Sequence, residues 1–455
     1  MRILALALGT FVISSGVYLI AGLLPDVAAR GGVSVAAAGQ LITVHALTCA
    51  IAAPLLSALF GGADRRRLLW TGMALFVAGS VATAVVPSFA GLVLARVVSA
   101  VGASLFTPMA TVIAADLAPA HRRARAAAVV TGGMTLATVI GVPAGLMLRA
   151  SLGFGGVFWL VAALGCAVAL AVFAVPRTAA PAWEDTEAAS GAGASGGRAR
   201  GTASVLGVRA VRIVLAASLL GALADFAAYT YSVPMFGHFG GGSLHAILLA
   251  YGIAGAVGNV LGGRITDRFG SAAGIASALG ALALGLVALP LAQGSVAGTL
   301  VAVVLWGAGG WGIMPAAQHR VLAWAPWAAG VAISLNASAV YLGMAAGGVV
   351  GGAVLGTLGA ITLGPIGAVI AVAGLVVFGG TRLRGLRELR LASGKSVARF
   401  AALPVVRFPL GSRVVAATWL PRTREPRPRA ARVRQAPALS YFCSPLLLTG
   451  AAEHR

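Results

Sequence analysis

The sequence is short of charge, and of negative charge above all. Only 10% of its 455 residues are charged, and 11 Asp and Glu stand against 33 Lys and Arg. A soluble globular domain has about 25% charged residues, so this composition excludes a water-soluble enzyme and a disordered chain. The three cysteines show neither CxxC nor His/Cys metal spacing, which excludes a disulfide framework and predicts no metal site. The sequence contains no GxxxxGK[ST] loop and therefore predicts no nucleotide as cofactor or energy source.

Apolar residues and glycine make up most of the chain. Hydrophobic residues account for 59% of it, the mean hydropathy is +0.95, and there are 63 glycines, which let helices pack closely in lipid. The net charge of +22 is concentrated at the end of the chain, where residues 381–455 hold 15 basic and 3 acidic side chains. Charge so placed argues against a nucleic-acid partner, and the sequence predicts a protein of the lipid bilayer.

Long apolar runs predict twelve transmembrane helices. A spanning helix needs about 20 mostly apolar residues, because the hydrocarbon core is about 30 Å thick. Charged or turn-rich segments separate the runs from one another. The twelve predicted spans lie at 4–25, 38–60, 68–87, 91–115, 126–148, 155–176, 211–236, 244–265, 271–292, 296–318, 329–355 and 359–380.

Arginines between the spans predict the orientation. Arg65, Arg123, Arg268 and Arg320 lie in the loops after spans 2, 4, 8 and 10, whereas the loops after spans 3, 7, 9 and 11 contain no Arg. Basic loops stay in the cytoplasm, so we expect both termini to be cytoplasmic. The expected location is the plasma membrane, which is the inner membrane of a bacterium.

The spans fall into two sets of six around a polar stretch. Residues 177–210, rich in Gly, Ala and Ser, predict a flexible cytoplasmic linker between bundles at 1–176 and 211–380. Residues 381–455, with a Pro/Arg run at 421–429, predict a disordered cytoplasmic tail, and a spurious extension of the gene is the alternative. Two such halves typically carry a substrate site at their interface.

A Gly/Asp/Arg motif occurs in two cytoplasmic loops. After span 8 the sequence at 258–270 reads GNVLGGRITDRFG. In it we expect Gly263 to let helices approach, Asp267 to accept hydrogen bonds from a helix N-terminus or an Arg, and Gly270 to permit the turn. The loop after span 2 is a degraded copy that keeps the core Asp64-Arg65.

Spans 4 and 5 carry three further motifs. Span 4 reads LVLARVVSAVG at 92–102 and is followed by Asp116-Leu-Ala-Pro and a pair of arginines. Span 5 reads GGMTLATVIGVPAG at 132–145. In span 5, Gly141 and Pro143, followed by Gly145, are expected to shape and bend the helix.

Together these motifs resemble those of the major facilitator superfamily, over about residues 5–380 of the chain. Within it, the span 5 motif is similar to that of the drug:proton antiporters. Span 1, with IAGLLP at 20–25, and span 11, with SLNAS at 334–338, are similar to the arabinose-efflux and chloramphenicol-exporter branch of that group. The resemblance implies an all-α integral membrane protein of twelve transmembrane helices in two six-helix bundles, with no catalytic residues. It also implies export coupled to proton entry, a proton gradient as the energy source and a cavity lined by spans 1, 2, 4, 5, 7, 8, 10 and 11. We expect a monomer, and an inner gate built from Asp64, Arg65, Asp116, Arg123, Asp267 and Arg268.

Asp225 is the only acid deep inside a predicted span. It lies 13 residues past Arg212, about 20 Å into the membrane at a rise of about 1.5 Å per residue. Intramembrane carboxyl groups are costly and mark proton or ion pathways, so we expect Asp225 to carry the proton. The alternatives are a fixed ion pair, with Arg96 across the two halves, or simple helix packing.

Two basic side chains also lie within spans. Arg96 in span 4 is expected to face a cavity or a partner and to modulate proton coupling or substrate binding, and a snorkelling structural Arg is the alternative. Histidine has an ordinary pKa close to physiological pH, so His45 in span 2 is a further candidate for proton coupling. A hydrogen-bonded packing residue is the alternative for His45.

Polar and aromatic residues near the predicted cavity complete the candidate set. Asn336 in span 11 could bind substrate or join two helices by a hydrogen bond. Trp306 could line the cavity or anchor the helix at the lipid interface. The predicted substrate cavity consists of Tyr18, Tyr229, Tyr231, Asn336 and Trp306.

The leading hypothesis is a secondary transporter that exports small amphiphilic compounds, such as drugs or antibiotics, in exchange for protons. One alternative keeps the fold and moves a sugar or another metabolite, in either direction. A second is a membrane sensor or scaffold that transports nothing and recruits partners through its basic tail. For the leading hypothesis, the expected partners of the protein are a small-molecule substrate, protons and the lipid bilayer.

Overall fold

The computed structural model describes residues 2–59, 64–173 and 194–379 of the chain. Over these residues it is built from helices joined by short turns, and no strand occurs among them. The predicted all-α membrane fold is confirmed. The predicted tail at 381–455 and the linker residues 177–193 lie outside the described part.

Twelve spans follow one another along the chain, numbered here 1 to 12. Most helix ends agree with the apolar runs to within a few residues, because the charged and turn-forming residues that end the runs also end the helices. The first six spans are Arg2–Gly22, Val35–Leu59, Arg65–Val85, Phe89–Asp116, the segment from Arg123 to 152, and 154–173. The second six are Arg209–Tyr229, Gly241–Phe269, Ser271–Ala292, Val296–Trp324, Ala329–Thr357 and Ala360–Gly379.

Spans 5 and 6 form one helical stretch that a single glycine divides. Eleven stretches of the described chain are long and apolar enough to cross a membrane, and one of them, Arg125–Val172, has 48 residues. That length is about twice what one crossing needs. Gly153 adopts φ 67° and ψ 177°, which breaks the helix and reverses the chain. A side chain is disfavoured at this φ, so glycine is the residue that suits the turn.

The second part of the predicted linker differs from expectation. Residues Ala194–Gly207 form a helix directly before span 7, where a flexible segment was predicted. Val205 in this helix is fully buried, and Gly201 lies next to Val331 of span 11. Burial of an apolar side chain against span 11 stabilises a helix that the Gly/Ala/Ser-rich composition alone does not predict.

The two halves repeat the same pattern of helix pairing. In the first half span 1 packs on span 5, span 2 on span 4, and span 3 on span 4. In the second half the corresponding pairs are spans 7 and 11, 8 and 10, and 9 and 10. Span 2 packs on span 11, and span 5 on span 8, to join the halves. The two related bundles therefore meet along two helix pairs, spans 2 and 11 and spans 5 and 8.

Candidate functional site

Tyr231 closes the predicted outer end of the interface between the halves. It follows span 7, its side chain is fully buried, and its hydroxyl lies 2.9 Å from the carbonyl oxygen of Gly348 and 3.2 Å from that of Ala36. Gln40 Nε2 lies 3.4 Å from the same hydroxyl and donates to the Gly348 carbonyl at 3.2 Å. Tyr231 is therefore placed in a contact between the two halves, and its role in lining the substrate cavity stays a prediction. Tyr231 lies between spans 2 and 11.

Glycines make the slot that receives this ring. A methyl group at Gly39 of span 2, or at Gly351 of span 11, would collide with the Tyr231 side chain. Thr43 adds another contact between the halves, because its hydroxyl donates to the Ala345 carbonyl at 3.3 Å. The tyrosine, its glycine slot and these hydrogen bonds together hold the predicted outer ends of spans 2 and 11 in contact.

We expect Tyr231→Phe to loosen this outer contact, because it removes a buried hydroxyl and leaves the carbonyls it faces without that partner. A cysteine placed at Ala345, with the three native cysteines replaced by serine, should then react about fivefold faster with an impermeant maleimide. Tyr229→Phe is the matched control and should leave the rate unchanged. Equal rates of maleimide reaction in the parent, Tyr231→Phe and Tyr229→Phe proteins would contradict a closure of this end by Tyr231.

The Asp225 carboxylate is held by two aromatic donors from the second half. Trp306 Nε1 of span 10 donates to Oδ1 at 2.6 Å, and the Tyr251 hydroxyl of span 8 lies 3.0 and 3.1 Å from the two carboxylate oxygens. Asp225 is 3% exposed and packs against the backbone of Gly310, where an added methyl would lie 2.8 Å from its carboxyl carbon. Hydrogen bonds thus satisfy the carboxylate without a cation.

An aromatic cluster surrounds this carboxyl group. The Tyr229 and Tyr251 rings stack with centroids 4.8 Å apart, and Tyr251 lies 4.9 Å from Trp306. Tyr18 of span 1 approaches from the other half, with its ring 6.2 Å from Tyr229 and 6.1 Å from Trp311. Tyr18 therefore connects the first half to the surroundings of Asp225. The structure places Trp306 at the carboxylate itself, 1% exposed, and not at a lipid interface.

Arg96 is buried in the first half and bonded to backbone oxygens. Its Nη1 donates to the Gly16 carbonyl at 3.1 Å, and its Nη2 lies 3.5 Å from the Val17 carbonyl. Its side chain is 2% exposed and its Nε has no hydrogen-bond partner among the described residues. The alternative of an ion pair between Arg96 and Asp225 is wrong in this structure, since Asp225 is bonded to Trp306 and Tyr251 instead.

His45 lies on a small cavity next to Arg96. Its ring is 1% exposed, one side faces the backbone of Arg96, and its Nδ1 has no hydrogen-bond partner among the described residues. The cavity has a volume of about 30 Å³. It lies among spans 1, 2, 4, 5 and 11 and is lined by Ile13, Ser14, Val17, Tyr18, His45, Ala103, Thr107, Met134, Tyr341 and Met344.

Asn336 joins two helices by a hydrogen bond, which is the second of its two predicted roles. Its Oδ1 accepts a hydrogen bond from the Ser218 hydroxyl at 2.9 Å, and the side chain is 2% exposed. The bond joins spans 7 and 11 away from the residues that line the cavity. Asn336 is not among the residues that line the described cavity, and its contact with substrate stays a prediction.

Charged residues tie the predicted inner ends of spans 3 and 4 together. Arg65 forms an ion pair with Asp116, with Nη1 and Oδ2 2.9 Å apart. Asp64 caps span 3 by accepting a hydrogen bond from the Arg66 backbone N–H at 2.9 Å. Both contacts lie within the first half. Asp267 and Arg268 end span 8 with exposed side chains, and Arg123 is exposed at the start of span 5.

The structure separates the roles of the motif glycines in span 8. Gly270 adopts φ 84° and ends the helix, as its predicted turn requires. Among the described residues, no atom outside the helix's own backbone lies within 4 Å of where a Cβ of Gly263 would lie, so the prediction that it lets helices approach is wrong. Gly258 and Gly262 make that approach instead, against the backbones of Ala308 and Gly312 in span 10. The glycines one helical turn apart share a face, and Gly263 lies outside it.

Span 5 changes its helical geometry at its Gly/Pro motif. Residues Ala137–Gly141 form a π-helical turn, and Pro143 just after it has no N–H to donate to the preceding turn. An added methyl at Gly141 would meet the Ser15 side chain, and one at Gly145 would meet Leu19. The motif therefore shapes span 5 and lets it pack closely on span 1.

Sequence reasoning missed two residues of this site. Tyr251, which donates to Asp225, is one aromatic residue in an apolar run, and Gln40, which donates to the Gly348 carbonyl, belongs to none of the motifs. The signal available was the scarcity of polar residues within spans, since each buried polar group needs a partner. Spacing along the chain does not say which helix supplies that partner.

A family model and several relatives match the chain. The model described as Major Facilitator Superfamily matches residues 6–323. The "Uncharacterized MFS-type transporter YbcL" of Bacillus subtilis is 31% identical over 85% of this chain and 98% of its own. The "Inner membrane transport protein YdhP" of Escherichia coli K12 is 33% identical, over 78% and 88%. A "Chloramphenicol resistance protein" of Streptomyces lividans is 35% identical, over 82% and 94%.

Solved structures share the fold at low sequence identity. A bacterial homologue of the human lysosomal transporter Spinster aligns with a TM-score of 0.64 and 16% identity, over 83% of this chain and 95% of that one. A D-xylose–proton symporter aligns with a TM-score of 0.64 and 17% identity, over 82% and 96%. At these identities the likeness concerns the path of the backbone alone.

Proposed function

This chain belongs to the major facilitator superfamily of membrane transporters, and we propose that it exports small amphiphilic compounds in exchange for protons. It is a multi-pass membrane protein and a transporter, not an enzyme. The proton gradient across the plasma membrane supplies the energy in this proposal. The two halves rock about their interface and expose the cavity to one side at a time.

The buried carboxyl group of Asp225 is the observation that carries the proposal. It is the only buried acidic side chain among the described residues, and it is held by Trp306 and Tyr251. A lone intramembrane acid without a cationic partner is typical of proton pathways in transporters. Tyr18 brings the first half against its aromatic surroundings, so movement between the halves changes the environment of the carboxyl group.

Drug efflux is the favoured direction and substrate class for two reasons. The relative from Streptomyces lividans is described as a chloramphenicol resistance protein, at 35% identity. The described cavity also combines apolar side chains with hydroxyl groups, which suits an amphiphile better than a fully polar sugar.

Substrate-driven proton movement tests this proposal. Inside-out vesicles that carry the full chain are energised to an acidic interior and loaded with a pH-sensitive dye. Chloramphenicol, a lipophilic cation and a pentose are then added in turn, and vesicles without the protein serve as the control. An antiporter releases protons from the interior when its substrate enters, so the interior pH should rise with one of the first two compounds.

The other results would overturn parts of the proposal in distinguishable ways. Proton release with the pentose alone would replace the drug by a sugar. No proton movement, with labelled chloramphenicol still crossing the membrane, would replace antiport by facilitated diffusion. No movement of any compound by folded, inserted protein would favour the sensor or scaffold.

A further inference from the structure

Spans 5 and 8, which connect the two halves, each expose a continuous apolar surface. Its side chains are between 39% and 54% exposed and recur at the spacings of one helix face. On span 8 the surface consists of Leu249, Ile253, Val257, Val260 and Leu261. On span 5 it consists of Val129, Leu136 and Ile140. We call these two surfaces the apolar stripes.

The apolar stripes face away from the interior of the protein. Tyr251, whose hydroxyl donates to Asp225, lies two residues before Ile253 of the span 8 stripe. Met134, which lines the described cavity, lies two residues before Leu136 of the span 5 stripe. A step of two residues turns a helix by about 200°, so each stripe lies opposite the interior side chains of its helix. In a membrane protein an exposed apolar surface of this kind indicates contact with lipid chains.

Each stripe ends in arginine at the predicted inner side of the membrane. On span 8 the same face continues from Val260 to Arg264 and then to Arg268, in steps of four residues. On span 5 it continues from Val129 to Arg125, four residues earlier. All three arginine side chains are exposed, and among the described residues none of them forms a hydrogen bond or an ion pair. Their N–H groups are therefore available to a partner from outside the chain.

The arginine ends of the two stripes lie at the same depth. Spans 5 and 8 run in opposite directions, and they meet where a methyl group added at Gly252 would collide with the backbone of Thr138. Arg125 lies 13 residues before Thr138, and Arg264 lies 12 residues after Gly252. At a rise of about 1.5 Å per residue, both arginines are about 18–20 Å from this contact. One level of the bilayer thus meets arginines from both halves.

The other contact between the halves lacks this combination. Spans 2 and 11 also expose apolar side chains near their predicted inner ends, among them Ile51 and Ile333. Those ends, residues 50–59 and 326–336, contain neither Lys nor Arg. Lipid can cover both contacts, but a negative charge is attracted only by the arginines on spans 5 and 8.

The charged groups at this site favour a phosphate. Asp267 is also exposed and lies between Arg264 and Arg268, so three arginines and one aspartate leave the site positively charged. The guanidinium group of arginine matches the geometry of a phosphate, to which it can donate two parallel hydrogen bonds. Phe269, 63% exposed and 5.2 Å from the Arg268 guanidinium, adds an aromatic ring, a residue type that is common at the level of lipid headgroups.

We propose that the apolar stripes, with Arg125, Arg264 and Arg268, bind a glycerophospholipid with an anionic headgroup from the predicted inner leaflet. Its phosphate pairs with the arginines, and its acyl chains lie along the stripes. Because the arginines belong to different halves, the bound lipid stabilises the arrangement in which the inner ends of spans 5 and 8 are close. This inference goes beyond the proposed function and depends on neither the substrate nor the proton.

Lipid binding to the purified full chain in detergent tests the proposal. Native mass spectrometry gives the apparent Kd for phosphatidylglycerol and for phosphatidylcholine with the same acyl chains. We expect the double variant Arg125→Gln/Arg264→Gln to raise the Kd for phosphatidylglycerol about tenfold and to leave that for phosphatidylcholine unchanged. Arg67→Gln/Arg209→Gln is the matched control. It removes two exposed arginines of the predicted inner side from spans 3 and 7, and it should keep the parent Kd.

A quenching experiment locates the bound lipid. Val129→Cys, with the three native cysteines replaced by serine, carries a bimane label on the span 5 stripe. Phosphatidylglycerol brominated on its acyl chains should quench this label about twice as strongly as brominated phosphatidylcholine at the same mole fraction. Ile51→Cys places the label beside the other contact between the halves, where the two brominated lipids should quench equally.

Three results would overturn the proposal. An equal Kd for phosphatidylglycerol in the two double variants would mean that general attraction by the basic protein accounts for binding. Equal quenching by the two brominated lipids at residue 129 would mean that the stripe does not select a headgroup. Displacement of phosphatidylglycerol by millimolar glycerol 3-phosphate would mean that the site binds a soluble phosphate ester and that the apolar stripes contribute nothing.

Discussion

Asp225→Asn is expected to reduce substrate-driven proton flux in vesicles by about a hundredfold or more, because the amide cannot take up and release the proton. The substitution keeps the shape of the side chain. Its amide oxygen can still accept from Trp306 Nε1 and from the Tyr251 hydroxyl, which now hold the carboxylate at 2.6 and 3.0 Å. The fold and substrate binding should therefore persist, and exchange of labelled for unlabelled substrate without a gradient should remain measurable.

Asp26→Asn is the matched control for this prediction. Asp26 precedes span 2 and pairs with Arg149 at 2.7 Å, and the Arg149 side chain is 48% exposed. Exposed ion pairs contribute about 0–1 kcal/mol, so its loss should leave flux and fold close to those of the parent. Full proton release by Asp225→Asn would transfer the coupling to another group, of which His45 is the next buried candidate.

Gly258→Ala is expected to destabilise the second half by about 2 kcal/mol, because its new methyl group would collide with the Ala308 backbone. Gly262→Ala should act in the same way against Gly312. A side chain can relieve a clash by adopting another rotamer, but the backbone of a helix cannot. Spans 8 and 10 must therefore move apart along their contact. The melting temperature and the monodisperse fraction of purified protein in size-exclusion chromatography should both fall.

Gly263→Ala provides a control on the same helix. It adds the same methyl group where no described atom outside the helix's own backbone lies within 4 Å, and alanine favours a helix over glycine by about 1 kcal/mol. Its stability should equal or exceed that of the parent. A loss of stability in Gly263→Ala as large as in Gly258→Ala would contradict the helix contact face that the structure assigns to span 8.

The sequence motif and the structure lead to different glycines for a physical reason. In GNVLGGRITDRFG the neighbouring Gly262 and Gly263 are equivalent by composition, and their positions on the helix differ by about 100°. Only the location of span 10 decides which one is in contact. Gly270 was predictable without that knowledge, because its φ of 84° is a local requirement of the turn.

The residues of the candidate site likewise include some whose importance the sequence predicts and some that only the fold reveals. The importance of Asp225 follows from the sequence alone, since any carboxyl group within an apolar run needs a special environment. The partners of that group, Trp306 and Tyr251, come from spans 10 and 8, 81 and 26 residues further along the chain. Tyr231, six residues after Asp225, looked like a second cavity residue. The reversal of the chain after span 7 turns it into the interface between spans 2 and 11.

The sequence by itself determined the membrane class, the number and approximate ends of the spans, and the division into two halves. Those properties depend on apolar run length, on charge and on turn residues, which are all local in the chain. Only the tertiary structure decided that Arg96 and Asp225 are held apart, that Asn336 joins two helices, and that His45 and Tyr341 line the same cavity. Side chains distant in sequence meet through the rotation and crossing of helices, and a periodicity of 3.6 residues specifies the face of each helix but not its neighbour.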